Sequence, residues 1–487
     1  MAENRDKIVE PLIFFRSGSG KVGYSLPPLD VPEAANLSPE QLREKAPLLP
    51  EVSEVEVVRH YTKLSHLNYS LDEGFYPLGS CTMKYNPKIN EKVASLSGML
   101  LSHPYAPYGL VQGNLKIIKA LEEALSVLTG LPYFTLIPSA GAHGELTGML
   151  LIRKRLEKNG NPRKIVLIPD SAHGTNPASS HFAGYDVKQI PSGPEGYLSA
   201  ATVKENLDGD VAALMMTNPN TLGIYEKEIK EIAELLHKNG SYLYMDGANF
   251  NALMGHVQPE SIGVDVLHLN LHKTFSTPHG GGGPGCGAVG VRKEFEPFLP
   301  IPVIREGGEG TLRVLFDRQD SIGKVRSFFG NFSVIVKGLA YVLSLGGEGL
   351  KTATERAVLN ANYLRSLLQE TYHLPYKLPT LHEVVFSEES FKDFGIKTSD
   401  VAKRLLDYGF HPPTVYFPLI VHGALMMEPT ESESKETLDE FAQTMKIIHK
   451  EAETEPELLK TAPHIAPIRR LDEALAAKQA RLVYKPE

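Results

Sequence analysis

Between residues 133 and 270 short apolar runs recur at fairly regular intervals, with amphipathic stretches of helical spacing between some of them. The runs are YFTLIP (133–138), KIVLIP (164–169), DVKQIP (186–191), AALMMT (212–217), YLYMD (242–246) and VDVLHLN (264–270). Several are continuously apolar, as expected of strands covered on both faces and unlike strands with one wet face. The intervening segments, such as ELTGMLLIRKRLEK and EKEIKEIAELLHKNG, carry the helical period. Strand, helix, strand in this order predicts an α/β domain around a largely parallel sheet.

The flanks read differently. Residues 1–50 hold scattered prolines and little periodicity, as an arm does, and 51–69 look partly helical. EGFYPLGSCTMKYNPK follows as a long loop. Residues 331–370 have a helical pattern interrupted by GGEG at 346–349. HEVVFS, TSDVAKRLLDYGF and ETLDEFAQTMKIIHKEAE then predict a smaller α+β domain, with a tail packed on it or on a partner. The expected boundaries are 1–70 for the arm, 71–330 for the large domain and 331–487 for the small one.

Composition narrows the function. Among 487 residues, 50 Lys and Arg face 58 Asp and Glu, a net charge of −8 without long runs of one sign. That disfavours a nucleic-acid scaffold, which needs a basic face. Two cysteines, Cys81 and Cys286, are too few for a disulfide framework and suit a reducing compartment. The N-terminus lacks the pattern of a secretory signal, and no uncharged apolar run approaches the roughly 18 residues of a membrane span. A cytoplasmic protein without a membrane partner is expected.

Four segments carry chemistry. In HLNLHKTFSTPHGGGGPGCGAVGVR (268–292) a strand leads into His272 and Lys273, then into a glycine-rich loop. A lysine there is either an ordinary strand-end lysine or an amine whose burial frees it to form a Schiff base with a carbonyl cofactor. The glycines let backbone approach a bulky ligand. They do not form a nucleotide loop of the GxxxxGK[ST] type, because the lysine precedes them. In YLYMDGANFNAL, Asp246 closes a strand 27 residues before that lysine. Pyridoxal phosphate enzymes need this pairing, an amine for the aldehyde and an acid on the pyridinium nitrogen, although strand-terminal Asp residues also start turns. In IPSAGAHGELTGML a small-residue turn runs into a helix expected near Glu145, so Ser139, Ala140, Gly141 and Ala142 are candidates for holding phosphate. In IPDSAHGTNPASS, His173 lies just past a strand, placed to stack on a flat ring. Asn218 and Thr221, in TNPNTLGIY, line the site or simply form a turn. No metal cluster is expected.

The motifs GSCTMKYNP, PSAGAHGELTGM, SAHGTNPASS, DGANFNAL, NLHKTFSTPHGGGGPGCGAVGV, SIGKVRSFFGNF and MMEPTESESKETLDEF closely resemble those of one family. It is the β subunit of two-subunit glycine dehydrogenase (decarboxylating), the P-protein of the glycine cleavage system, and the likeness runs from about residue 59 to 440. The resemblance implies the pyridoxal phosphate-dependent transferase fold type I, a large α/β domain with a mostly parallel sheet plus a smaller C-terminal α+β domain. It implies pyridoxal 5'-phosphate joined to Lys273, with Asp246 on the ring nitrogen, His173 on the ring, and Ser139 to Ala142 at the phosphate; His272 and Asn218 join the candidate cofactor contacts. It further implies glycine as substrate, lipoylated H-protein as acceptor of the aminomethyl group, release of carbon dioxide, and a homologous α subunit in an α2β2 heterotetramer. Ser80, Thr82 and Asn86 of the GSCTMKYN loop are candidate substrate contacts. Cys81 reads as a buried inert thiol or a redox-sensitive one, and Lys84 as a solvated lysine or a ligand contact. Two rivals stay open: another fold-type I enzyme, an aminotransferase or amino-acid decarboxylase, and a non-catalytic partner subunit.

Overall fold

The computed structural model describes residues 10–32, 37–280, 285–480 and 482–484. The chain divides into two units, Met1–Gly74 with His464–Glu487, and Phe75–Pro463.

In the larger unit the strands are β1 (Tyr133–Thr135), β2 (Ile165–Pro169), β3 (Asp186–Ile190), β4 (Val211–Thr217), β5 (Tyr242–Gly247), β6 (Val266–Asn270) and β7 (Gly287–Val291). They form one sheet in the order β1-β7-β6-β5-β4-β2-β3. β7 is antiparallel to both neighbours, so the other six strands share one direction. Each of the six expected runs is a strand. Continuous apolarity has a simple cause: alternate side chains enter two different cores. Leu243 and Met245 of β5, with Leu267 and Leu269 of β6, pack on one face, and Tyr244 and Val266 pack on the other. Every residue of β4 and β6 is buried. β3, which carries Asp186, Lys188 and Gln189, is an edge strand, where charge guards the unpaired backbone.

β8 (Val303–Glu306) and β9 (Leu312–Leu315) form a separate hairpin. A second sheet contains β10 (Val384–Ser387), β11 (Thr414–Val415) and β12 (Ala424–Met427) in the antiparallel order β10-β12-β11. The helices Thr398–Asp407 and Lys435–Thr454 belong with it, and Phe386, Phe391, Leu425 and Phe441 fill its core. The helix Phe332–Leu368 joins the two parts. Val334, Ile335 and Leu339 enter a core of the large sheet, while Leu364 and Leu368 enter that of the small one. By length and composition this helix could cross a membrane; here its apolar residues supply two interior cores. It kinks at Gly346, inside the expected GGEG interruption.

In the smaller unit the helix Glu54–Ser65 starts at a capping box in which the Ser53 hydroxyl accepts from Glu56 N and the Glu56 carboxylate accepts from Ser53 N. Phe14 stacks on Tyr484, with ring centroids 4.1 Å apart. The C-terminal tail therefore groups with the N-terminal segment.

Candidate active site

In a parallel sheet, the loops after the strands gather along one edge. Here the loops after β1, β2, β4, β5 and β6 open on a cavity of about 680 Å³, within the usual range for small-molecule sites. Lys273, Asp246, His173 and His272 line it, together with Ala140–Ala142 and Gly79–Cys81.

Lys273 lies in the turn directly after β6, its N–H bonded to Asn270 O at 3.1 Å. The strand is buried as expected, but the side chain is half-buried because it emerges into the cavity. Its amine has no hydrogen bond among the described residues, and its charge acts on Asp246, Glu383 and Glu428.

Asp246, near the end of β5, is 2% exposed. Its Oδ2 accepts from Asn176 Nδ2 (3.0 Å), its Oδ1 accepts from Ala248 N (2.9 Å), and His268 Nε2 lies 3.4 Å from Oδ1. Burial pushes this carboxyl up. His268, the Asn176 amide, Lys273 and the Ala248 N–H together outweigh burial and hold it below its ordinary 3.8. Behind it, burial raises the Tyr244 phenol far above its usual range, so it keeps its proton, and its oxygen lies 2.9 Å from His268 Nδ1.

The helix Gly141–Lys158 starts four residues earlier than the expected Glu145. No side chain caps it, so its first amides are left facing the cavity with the positive end of the helix dipole. Glycine is required there for closeness: a Cβ on Gly141 would lie 2.6 Å from Asn270 Nδ2, and one on Gly287 only 2.1 Å from Ala140 O. Ser139 is not among the lining residues; its N–H donates to His143 Nδ1 at 3.1 Å. Glu145 instead turns inward, accepting from Thr175 Oγ1 (2.7 Å), Asn176 Nδ2 (3.1 Å) and Ser179 Oγ (3.2 Å), which ties this helix to the loop after β2.

On that loop His173 is exposed; its Nδ1 accepts from Thr175 N at 3.2 Å, and its ring meets Phe417 edge-on at 5.3 Å. Burial, with Lys273 adding to it, drops His272 to about 3, so it is neutral. Four polar atoms in the lining residues, Thr217 Oγ1, Asn249 Oδ1, Asn270 Oδ1 and His272 Nδ1, are buried without a partner among the described residues. Such atoms call for a polar ligand.

Three expected contacts lie elsewhere. Asn218 turns its Oδ1 to Glu226 N (3.1 Å) and holds a turn, whereas Thr217 and Thr221 line the cavity. Asn86 donates to Lys84 O (3.2 Å), away from the cavity. Thr82 is buried behind the cavity wall, and Ser80 is in it. Lys84 is neither solvated nor a ligand contact: it is buried and bonded to Asn251, Tyr341 and Glu431. Cys81 is half-buried; burial raises its thiol, with Glu428 and Glu383 adding and Lys273 opposing, so it is a protonated, sluggish nucleophile. Residues 281–284 of the glycine loop lie outside the described residues. Sequence reasoning missed Glu145, His268, Tyr244, Glu383 and Glu428. The one signal for the last two was the charged residue abutting an apolar run, the same signal that exposes Asp246.

Two family models match: an aminotransferase class-V domain over residues 147–319, and the C-terminal domain of glycine dehydrogenase over 353–464. The chain is 57% identical over 471 residues, 96% of its length and 97% of the relative's, to a probable glycine dehydrogenase (decarboxylating) subunit 2 of Caldanaerobacter subterraneus subsp. tengcongensis. It is 54% identical to one so named from Chloroherpeton thalassium, over 99% of both chains. The chain belongs to the glycine dehydrogenase (decarboxylating) subunit 2 family. Among solved structures it is similar to a glycine decarboxylase (P-protein) of the glycine cleavage system in inhibitor-bound form. That match has a TM-score of 0.69 and 21% identity, and covers 86% of this chain and 93% of the other. It is also similar to the Escherichia coli cysteine desulfurase CsdA, with a TM-score of 0.61, 14% identity, and 78% and 95% covered. These likenesses place the fold with the fold-type I enzymes expected from the sequence.

Proposed function

We propose that the chain binds pyridoxal phosphate in this cavity and is the cofactor-holding subunit of an enzyme that removes the carboxylate of glycine. The aminomethyl group passes to the lipoyl arm of H-protein, and a homologous subunit 1 completes an α2β2 heterotetramer. The observation that carries the reading is that Lys273 and Asp246 face one cavity, beside the uncapped amides of Gly141 and Ala142. The donor set fits the cofactor: an amine for its aldehyde, an anionic carboxylate for its ring nitrogen, a helix N-terminus for its phosphate, and unpartnered hydroxyl and amide atoms on Thr217 and Asn270 for its remaining polar edge.

When bound, pyridoxal phosphate supplies an electron sink for the pair released as the Cα–carboxylate bond breaks. The chain's residues do the rest. Lys273 would hold the aldehyde, and its amine, once freed, would carry protons. Asp246, kept anionic by His268, Asn176, Lys273 and Ala248, would hold the proton on the ring nitrogen. His173 would cover the ring, and Gly79–Cys81 complete the lining and would limit water. Overall, one C–C bond and the lipoyl S–S bond break while one C–S bond forms and the leaving sulfur takes up a proton as S–H, so the disulfide is the only oxidant needed. The name subunit 2 carried by the relatives supports a partner subunit, and two free thiols suit a cytoplasmic setting.

The test is exchange of labelled bicarbonate into the glycine carboxylate. Exchange that requires both lipoylated H-protein and subunit 1 is expected. Glycine turnover without H-protein, or amino transfer to a keto acid, would overturn the reading.

A further inference from the structure

The small sheet ends in a second acidic centre, unused by the reaction above. Glu383 precedes β10 and Glu428 follows β12, and these strands pair antiparallel with Val384 opposite Met427, so both carboxyls emerge at the same end. Both are fully buried, as is His382. His382 Nε2 lies 3.7 Å from Glu383 Oε1 and 4.0 Å from Glu428 Oε1, too far for a hydrogen bond. Neither nitrogen of His382 has a partner among the described residues, nor has Glu428 Oε1. The other oxygens are engaged: Glu383 Oε2 accepts from Ser80 N at 2.9 Å, Glu428 Oε2 from Thr82 N at 3.0 Å, and Glu383 Oε1 from Asn249 Nδ2 at 3.4 Å.

Two neighbouring carboxylates in a water-free site cannot both stay charged. His382 does not relieve them, since burial and Lys273 hold it neutral. The groups facing the pair are Lys273 and Cys81 from the cavity side, Glu431 beyond β12, His382 and Asn249. We propose that Glu383 and Glu428 hold a single proton between them at neutral pH and clamp the Ser80–Thr82 loop into the cavity wall that faces Lys273. They are positioning residues, since they reach the cavity through the amides of Ser80 and Thr82. The clamp explains how two non-glycine residues persist in the left-handed region, Ser80 at φ 64° and Thr82 at φ 47°. The raised carboxyls agree: burial, then Glu428, lifts Glu383 well above its ordinary range, and burial lifts Glu428 to about 7.

The inference assumes nothing about the reaction, so its test uses the full chain without substrate. The infrared carboxyl band at neutral pH is compared between the natural protein and E383Q/E428Q. Other buried carboxyls cancel in that difference. A protonated-carboxyl band present in the natural protein and lost in the variant is expected; a null difference, or one bound divalent metal per chain, overturns the shared proton. If the double variant does not fold, E428Q alone is compared in the same way. The clamp is read from alkylation of Cys81, with buried Cys286 as internal control. E428A, which removes the acceptor for Thr82 N, is expected to speed it by about tenfold or more, with E428Q close to the natural protein. Equal rates in E428A and E428Q overturn the clamp.

Discussion

At the scale of single residues, Lys273 and Asp246 divide the work so cleanly that their variants must fail differently. Lys273→Ala removes the amine proposed to hold the aldehyde, so borohydride reduction should no longer fix cofactor to the chain and turnover should vanish. Asp246→Asn keeps the hydrogen bond from Asn176 and most of the packing, but removes the charge proposed to face the ring nitrogen. Its cofactor should stay bound while kcat falls by about 100-fold or more. An unchanged kcat for Asp246→Asn would contradict that role. Both residues were legible because a charged side chain ending a continuous apolar run is physically conspicuous. The residues that set Asp246's charge were not: His268 and Tyr244 sit inside strands, where an imidazole or phenol reads as core, and Glu145 reads as part of a helix start. Their partnership exists only once β5 and β6 lie side by side. Ser139, Asn218 and Asn86 erred the other way, since a polar residue in a site loop is as often a brace for the turn as a ligand contact.

At the scale of elements, the strands were read well because each is buried on both faces, and the periodicity of burial is written directly into composition. The helix Phe332–Leu368 tests a subtler point. GGEG reads as a break, and the backbone does turn non-helical at Gly346, with φ 61° and ψ −178°, a region open essentially to glycine alone. Nothing lies within 4 Å of a Cβ built on Gly346 or on Gly347, so neither substitution meets a steric clash. The two should nevertheless move stability in opposite directions. Gly346→Ala forces a side chain into a disfavoured backbone state and should destabilise by about 1–3 kcal/mol. Gly347→Ala restores helix propensity at an exposed position and should stabilise by about 0.5–1 kcal/mol. Urea midpoints measured side by side decide it, and a shift of the same sign in both would show that the kink is not a backbone constraint.

At the scale of the larger unit, what neither composition nor periodicity could reveal is how the two sheets are fastened. Lys84 performs much of that task. From the loop ahead of the first strand its amine bonds Asn251, after β5, at 2.9 Å, Tyr341, on the long helix, at 3.1 Å, and Glu431, beyond β12, at 2.7 Å. Partners hundreds of residues apart in sequence leave no local trace, which is why a solvated lysine was the reasonable expectation. The Lys84 side chain is 1% exposed and that of Glu431 13%, so neither charge is properly hydrated without the other. Burial pulls the Lys84 ammonium down, but Glu431 and the Tyr341 hydroxyl outweigh it and hold the group above its ordinary 10.5. A raised lysine contributes stability that is complete below 10.5 and lost only as pH climbs beyond it, so the fastening is intact across the neutral range. Lys84→Met strands the Glu431 carboxylate and should cost about 3–5 kcal/mol, whereas adding Glu431→Gln to Lys84→Met should recover a large part of that loss. The denaturant midpoint should follow this order at a nearly constant slope. If the double variant were no more stable than Lys84→Met alone, the loss would come from the packing of the lysine stem rather than from the buried charge, and the fastening would be a steric one.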